Sequence, residues 1–564
     1  MNEFEVKVPI TESSRALHIN DIEEVIKENG DLNKEDLYFP NKMALVFLAY
    51  KYSEFESFEK TEEFIHEKVT DNFTQEKLLN TLVKFHKSVD ELSRTYKRKE
   101  LKQALFEWNL RRNLEKGFND DLPDGICKLI TAVLDLKNGE NFLNLNAGAF
   151  KFAMNIAADN ENVSVCGIDD LEDLVYVGNI RSSVIDNRMK VKSADVLNKD
   201  FSDICADKVF VNVKCGRINP KDIVNDRLGN FCEHICCKEW AYTVAGILSQ
   251  KVGGCTVALL PENILTNSAD KEVRKKLLGS GKIAGVIALH QFAGSLKSLV
   301  ILSDNNQSVK MLDATEFFTD DMRRTLLSDK DVETILQQYH SESSNLMEVA
   351  NEKIAENNYI LYPPRYLAER KINFEGSPLR KFIKSIKRGV QQIRPQELGT
   401  MKSDVPTNCR FVNIQDITEI GISENLLYLK EEECQKYEKN FLSSGDIVIS
   451  KLSPFKVALI PETDEKFLVS GNLYGLKVAD NVNPNWLLLC LKSPQIIMQL
   501  NAMASGGISK VINPNSLGEI KIPETTSDKQ NEIAEKYFLL LKELEEVINK
   551  SEKIRVEIKN LAFS

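Results

Sequence analysis

Residues 142–152 read Phe142-Leu143-Asn144-Leu145-Asn146-Ala147-Gly148-Ala149-Phe150-Lys151-Phe152. A short apolar run gives way to small residues around Gly148 and then to a helix-forming stretch. That is how a strand turns into a helix across a loop where a ligand can approach the backbone. Working outward, further apolar and β-branched runs occur at Val163–Ile168, Lys208–Val213, Thr256–Leu260, Ile283–Leu289 and Leu299–Leu302, separated by helix-like stretches. The alternation predicts an α/β fold built on a doubly wound, Rossmann-like sheet. In such a sheet ligands sit beyond the carboxyl ends of the strands, so the loops there hold the candidate chemistry. Asn144 and Gly148 follow the first strand, Asp169 and Asp170 the second, Asp195 the third and Asn212 the fourth. A carboxylate roughly 20 residues beyond the glycine suits ribose hydroxyls, which makes Asp169 the candidate; Asp195 suits an adenine amine.

The rest of the chain divides by texture. Residues 1–118 place Phe47, Leu48, Tyr50, Phe55, Phe58, Phe64 and Ile65 at helical spacing and predict an N-terminal helical domain. Its basic end holds Arg94, Lys97, Arg98, Lys99, Lys102, Arg111, Arg112 and Lys116, either a solvated helix face or a phosphate-contacting one. The sheet domain takes 119–345, reading as helical from about 305, and 346–371 form a connector. Strand and turn signals then predict an α+β domain over 372–526. In the last segment, 527–564, Ile533, Tyr537, Leu540, Leu544, Val547, Ser551, Ile554, Ile558 and Leu561 alternate four and three apart, a coiled-coil helix expected to pair with another.

At 564 residues, with 42% hydrophobic and 28% charged residues, the chain is a multi-domain folded protein. No run approaches the roughly 18 apolar residues of a membrane helix, so a cytoplasmic protein without a membrane partner is expected. The eleven cysteines contain no C-x-x-C pair, and the cluster Cys232, His234, Cys236, Cys237 reads as packing, so no metal is expected. A net charge of -11 argues against indiscriminate nucleic-acid binding. Yet Arg380, Lys381, Lys384, Lys387, Arg388 and Arg394 follow one another without an intervening acid, enough local charge for phosphate contact, with an exposed lysine-faced helix as the plainer alternative.

The order of these motifs resembles the modification subunit of type I restriction-modification systems, N6-adenine DNA methyltransferases that use S-adenosylmethionine. Asp121–Ile126, Val252–Leu265, Lys271–Leu278 and Pro364–Tyr366 extend the likeness across roughly residues 1 to 370. The resemblance implies Asn212 and Asp195 as catalytic positions, and Pro123, Asn144, Gly148, Asp169 and Asp195 as cofactor positions. The departures from it are concentrated in the site. The family's Asn-Pro-Pro-Tyr or Asn-Pro-Pro-Phe is here Asn212-Val213-Lys214-Cys215, without the ring that stacks on a flipped adenine, a contact of about 1–3 kcal/mol. Asn144 replaces the family's acid, Phe150 and Lys151 its glycines, and Leu122 its threonine, which implies that S-adenosylmethionine binding is weakened or lost.

Residues 372–564 resemble the specificity subunit of the same systems through Ser444–Lys451, Ile508–Pro523 and Gln530, as one target-recognition domain and one spacer helix, half of the usual set. Lys451 and Lys510 join the DNA-binding candidates on that basis. The expected function is a DNA-binding specificity component of a type I-like restriction-modification or phage-defence system. It would bind double-stranded DNA with a degenerate methyltransferase domain, beside an active methyltransferase subunit or as a homodimer through the C-terminal helix. The alternatives are a self-contained N6-adenine DNA methyltransferase and a protein-interaction scaffold built on a pseudo-enzyme domain.

Overall fold

The computed structural model describes residues 17–18, 20–29, 38–108, 122–198, 204–213, 215–231, 233–292, 295–317, 319–321, 324–371, 374–390, 395–504 and 511–561. Arg111, Arg112, Lys116, Asp121, Lys214, Cys232, Arg394, Ile508 and Lys510 lie outside them. The chain forms two compact units, Met1–Leu361 and Tyr362–Ser564.

The first unit is built on a mixed sheet. Its strands are β1 (Asn141–Leu145), β2 (Ser164–Asp169), β3 (Met189–Ser193), β4 (Ala206–Val211), β5 (Gln250–Pro261), β6 (Ile283–Phe292), β7 (Ser295–Leu302) and β8 (Ser308–Asp313). After a short hairpin of β9 (Thr319–Asp321) and β10 (Arg324–Leu326), β11 (Leu346–Ala350) completes it. Among the described residues nine strands run in the order β11-β8-β6-β7-β5-β4-β1-β2-β3. From β3 to β5 neighbouring strands are parallel, while β7 is antiparallel to both β5 and β6. Helices cover the parallel part, so β1 and β4 bury nearly every side chain and read as continuous apolar runs. Phe142, Phe152 and Phe210 meet edge to face there, at centroid distances of 6.0 and 5.0 Å.

The N-terminal helices form a second layer. The helix Phe39–Phe55 buries Met43–Tyr50 without a break, wrapped by the helices Phe58–Lys68, Asn72–Lys84, His86–Thr95 and Arg98–Glu107. The cluster continues into the helix Glu172–Val184 of the sheet layer through Leu174, Tyr176, Val177 and Ile180. Arg181 is fully buried and donates to the carbonyls of Leu105, Ala149 and Trp108 at 3.2, 2.5 and 2.7 Å, tying this layer to the loop after β1.

The stretch read as helical beyond residue 305 is partly strand: β8 pairs parallel with β6, and β11 pairs antiparallel with β8. The sheet therefore continues through residue 350. Both strands were hard to read because each buries only part of its short length.

Among its described residues the second unit holds two four-stranded sheets and a strand pair, β12 (Gly376–Pro378) with β21 (Lys521–Pro523). The first sheet orders β13 (Ile383–Arg388), β20 (Leu473–Val478), β17 (Ile447–Ser450) and β18 (Val457–Leu459). The second orders β14 (Lys402–Ser403), β16 (Leu427–Leu429), β15 (Cys409–Val412) and β19 (Lys466–Val469). Lys384, Lys387 and Arg388 thus lie on an edge strand, not on a lysine-faced helix, with Arg380 and Lys381 in a single 3-10 turn before it. The last helix, Ser527–Leu561, packs Ile533, Ala534 and Tyr537 against a core that includes Trp486, and the Asn483 N–H donates to Gln530 Oε1 at 2.9 Å. Farther along, Leu540 and Val547 are 62% and 63% exposed, and Leu544, Ile554, Ile558 and Leu561 are exposed as well. Among the described residues no helix is long and apolar enough to cross a membrane, and no group of His, Cys, Asp and Glu is placed to hold a metal ion.

Candidate functional site

The chain leaves β1 for β2 and β3 on one side and returns to β4 and β5 on the other. The strand order thus reverses between β1 and β4, and a crevice opens there at the carboxyl edge. The loop after β1 bends sharply, with Asn146, Gly148 and Phe150 at φ of 52°, 59° and 59°. Asn and Gly enter the left-handed region readily, whereas a phenylalanine there is strained.

That turn sends the Phe150 ring into the core. A Cβ built on Gly167 or Gly178 would lie 2.6 or 2.7 Å from ring atoms, so two glycines make the slot the ring fills. Phe150 therefore does not crowd a ligand, contrary to the sequence expectation; of the two bulky substitutions only Lys151 reaches the crevice. Lys151 is mostly buried, its Nζ 3.2 Å from the Glu107 carbonyl and 3.8 Å from Asp124 Oδ1.

Asp169 ends β2, 2% exposed, and accepts from the Gly148 N–H at 2.9 Å, the Leu171 N–H at 3.1 Å and Asn146 Nδ2 at 3.3 Å. Burial pushes its carboxyl up to about 7, against the pull of the backbone donors. Asp195 accepts from the Leu197 N–H at 2.9 Å and from Asn198 Nδ2 at 2.8 Å. Asn212 follows β4, its N–H 3.5 Å from the Leu145 carbonyl. Asn144 is buried on β1 between β2 and β4, Nδ2 3.5 Å from the Leu145 and Phe210 carbonyls.

The crevice has two unequal ends that share Asn146 and Gly148. On the β1 side Leu122, Asn144, Lys151, Phe152, Phe210 and Asn212 enclose about 30 Å³. On the β2 side Asp169, Asp170, Leu171, Val213, Cys215, Lys238 and Tyr242 surround about 320 Å³. Pro123 precedes the helix Asp124–Leu134 and lines neither space. A larger cavity, about 800 Å³, lies apart from the carboxyl edge, along the helix Lys271–Gly279. Among the described residues strand ends, a strained loop and a buried carboxylate converge at the crevice, which makes it the candidate site.

Sequence reading missed Leu171, Lys238 and Tyr242. Tyr242 sits in the apolar helix Lys238–Leu248, 2% exposed, where its sequence context signals only core packing. Burial and the neighbouring Asp170, Asp195 and Asp169 push its hydroxyl up, so it stays protonated.

In the second unit the basic candidates separate. Arg380 pairs with Glu519 and Lys384 with Asp480. Lys381 donates to Ser377 Oγ at 2.8 Å and Lys387 to the Phe441 carbonyl at 2.7 Å. Lys451 is buried, bonded to the Gly471 carbonyl and 4.6 Å from the Tyr474 ring centroid. Burial, then the Arg388 guanidinium, lowers its ammonium, which places Arg388 and Lys451 in one positive field. Arg388 is exposed and faces Tyr474 in register. The structure thus brings Arg388, Lys451 and Tyr474 together and leaves Arg380, Lys381 and Lys384 in contacts of their own.

Residues 123–374 match the family model described as N-6 DNA Methylase. No curated protein matches the chain. A type I restriction-modification methyltransferase subunit from Streptococcus thermophilus is 17% identical, covers 61% of this chain and 97% of its own, and superposes with a TM-score of 0.47. The type IIG restriction endonuclease BpuSI is 12% identical over 88% of this chain and 71% of its own, with a TM-score of 0.49. A modification subunit of a putative type I restriction enzyme from Vibrio vulnificus is 11% identical over 60% and 92%, with a TM-score of 0.44. The chain is thus similar to N6 DNA methyltransferases over residues 123–374.

Proposed function

We propose that the chain is the DNA-recognition component of a type I-like restriction-modification or phage-defence system, in which the methyltransferase-like unit has lost catalysis and an active methyltransferase partner supplies it. The observation that carries this reading is the space beside Asn212, about 30 Å³, room for a water molecule or two. Methyl transfer needs the cofactor's sulfonium and a flipped adenine to meet there. Val213 follows Asn212, and Cys215, where the family carries its ring, is exposed, with Lys297 Nζ 4.0 Å from its Sγ. In the second unit, exposed Arg388, set beside the buried Lys451 and Tyr474, supports contact with a phosphate backbone. Homodimerisation through the exposed apolar side of the last helix is part of the same reading.

A second reading, a self-contained N6-adenine methyltransferase, is favoured by Asn212, Asp195 and Gly148 following β4, β3 and β1 at the carboxyl edge of one sheet. Transfer of a labelled methyl group to duplex DNA decides between them. The first reading expects duplex binding by the pure chain at low salt and no label without a partner. Label incorporated by the chain alone, and abolished by Asn212→Ala, overturns it.

A further inference from the structure

We propose that the β2 side of the crevice binds a ribonucleoside that lacks an amino-acid tail, so that S-adenosylmethionine is excluded from a site that keeps its nucleoside half. The inference rests on the reading that this chain does not transfer methyl groups.

The two ends of the crevice differ about tenfold in volume, about 320 against about 30 Å³. The larger is at the lower end of the range of small-molecule sites, roughly 300–1,000 Å³. The smaller has no room for an aminocarboxypropyl chain. It is closed from three directions: Leu122 from the segment before the sheet, the Phe152 ring from the following helix, and the Lys151 stem, whose ammonium is held over the Glu107 carbonyl. Asn144, which lines that end, is a neutral amide and offers no charge to the α-ammonium of such a chain. S-adenosylmethionine therefore does not fit the residues present.

The open end has the chemistry of a ribose and a base. Asp169 lines this end, its carboxyl oriented by the Gly148 and Leu171 N–H groups and Asn146 Nδ2, and is the acceptor for a sugar hydroxyl. Asp170, half-buried at the same rim, offers the second acceptor that a vicinal diol needs. Leu171 and Val213 give apolar walls for a flat ring, and the Tyr242 hydroxyl, held protonated, is a donor for a ring nitrogen. Deoxynucleosides, including a base flipped from DNA, lack the diol and lose that recognition.

The test is titration calorimetry of the full chain with adenosine, 2′-deoxyadenosine and S-adenosylmethionine, beside a methyl-transfer assay on the same preparation. Adenosine is expected to bind, with 2′-deoxyadenosine and S-adenosylmethionine each weaker by about tenfold or more. Cys215→Trp, at an exposed position on the cavity wall, is expected to abolish adenosine binding while circular dichroism and melting stay unchanged. Asp169→Asn should also abolish it, but it disturbs a buried carboxylate. Lys151→Ala should narrow the gap between S-adenosylmethionine and adenosine. S-adenosylmethionine binding as tightly as adenosine, equal binding of 2′-deoxyadenosine, or no adenosine binding to the folded chain overturns the proposal. If adenosine fails to bind and no label reaches DNA, this inference falls while the proposed function stands; label in DNA removes both.

Discussion

Replacing Gly178 by alanine puts a methyl group where the Phe150 ring already is. In an ordinary helix interior Gly→Ala stabilises by up to about 1 kcal/mol, because alanine restricts the unfolded chain and favours the helix. At Gly178 the new Cβ would lie 2.7 Å from Cδ2 and 2.8 Å from Cγ of Phe150, too close for any carbon pair, and the ring is fully buried and pressed on its other side against Gly167. The sign should reverse, to a loss of about 1–3 kcal/mol from overpacking. Phe150→Gly alone empties the slot and should cost about 3–5 kcal/mol, lessened by about 1 kcal/mol as the left-handed backbone is relieved. In the double variant the methyl added at position 178 no longer meets a ring and partly refills the slot, so the costs should fall short of additivity by about 1–3 kcal/mol. Urea unfolding followed by tryptophan fluorescence in a Trp486→Phe background reads this, since the other two tryptophans, Trp108 and Trp240, lie in the first unit. A Gly178→Ala variant as stable as its parent, or additive costs in the double variant, would refute the slot.

Three further outcomes follow from named contacts. Asp169 carries a folded value of about 7 against an ordinary 3.8. Its raised value means that the stability it contributes is full below about pH 4 and is lost as pH rises through about 7, on the order of 4 kcal/mol for the whole shift. The stability of Asp169→Asn relative to the parent should therefore rise between about pH 4 and pH 7 and level off above that in urea unfolding, and a flat difference would contradict the burial argument. Arg388→Ala should weaken duplex binding on all sequences alike and lower the slope of log affinity against log salt by about 1, as measured by fluorescence anisotropy. Lys384→Ala, already paired with Asp480, should leave that slope unchanged, and equal effects would place the phosphate contact elsewhere. Replacing both Leu540 and Leu544 by lysine should reduce the mass of any homodimer to that of the monomer in light scattering, while an unchanged mass would exclude the last helix as the seam.

The parallel core was legible because β1, β2 and β4 are covered on both faces and read as apolar runs. β8 and β11 were not, because short, partly exposed strands at one side of a sheet carry too few apolar positions to separate period 2 from period 3.6. The lysines at 381, 384 and 387 match a helix spacing, yet the segment is strand because Ile383 and Ile386 pack against β20 and the basic groups reach carbonyls and acids at its margin. In the crevice, the bulk of Phe150 was plain from its letter but its direction was not, since that depends on the left-handed turn and on two glycines 17 and 28 positions later. Tyr242 was hidden for a related reason: an aromatic in an apolar helix looks the same whether its edge meets core or cavity.

The strands that end the sheets also govern what the protein avoids. β3 closes one side of the large sheet and exposes Lys190 and Lys192; β13 closes one side of a smaller sheet and brings Lys384, Lys387 and Arg388. A second chain adding itself as the next strand at either margin would bring ammonium groups against ammonium groups and strip their water. Such borders work as insulation, discouraging fibre-like stacking of copies even in a crowded cell and at high expression.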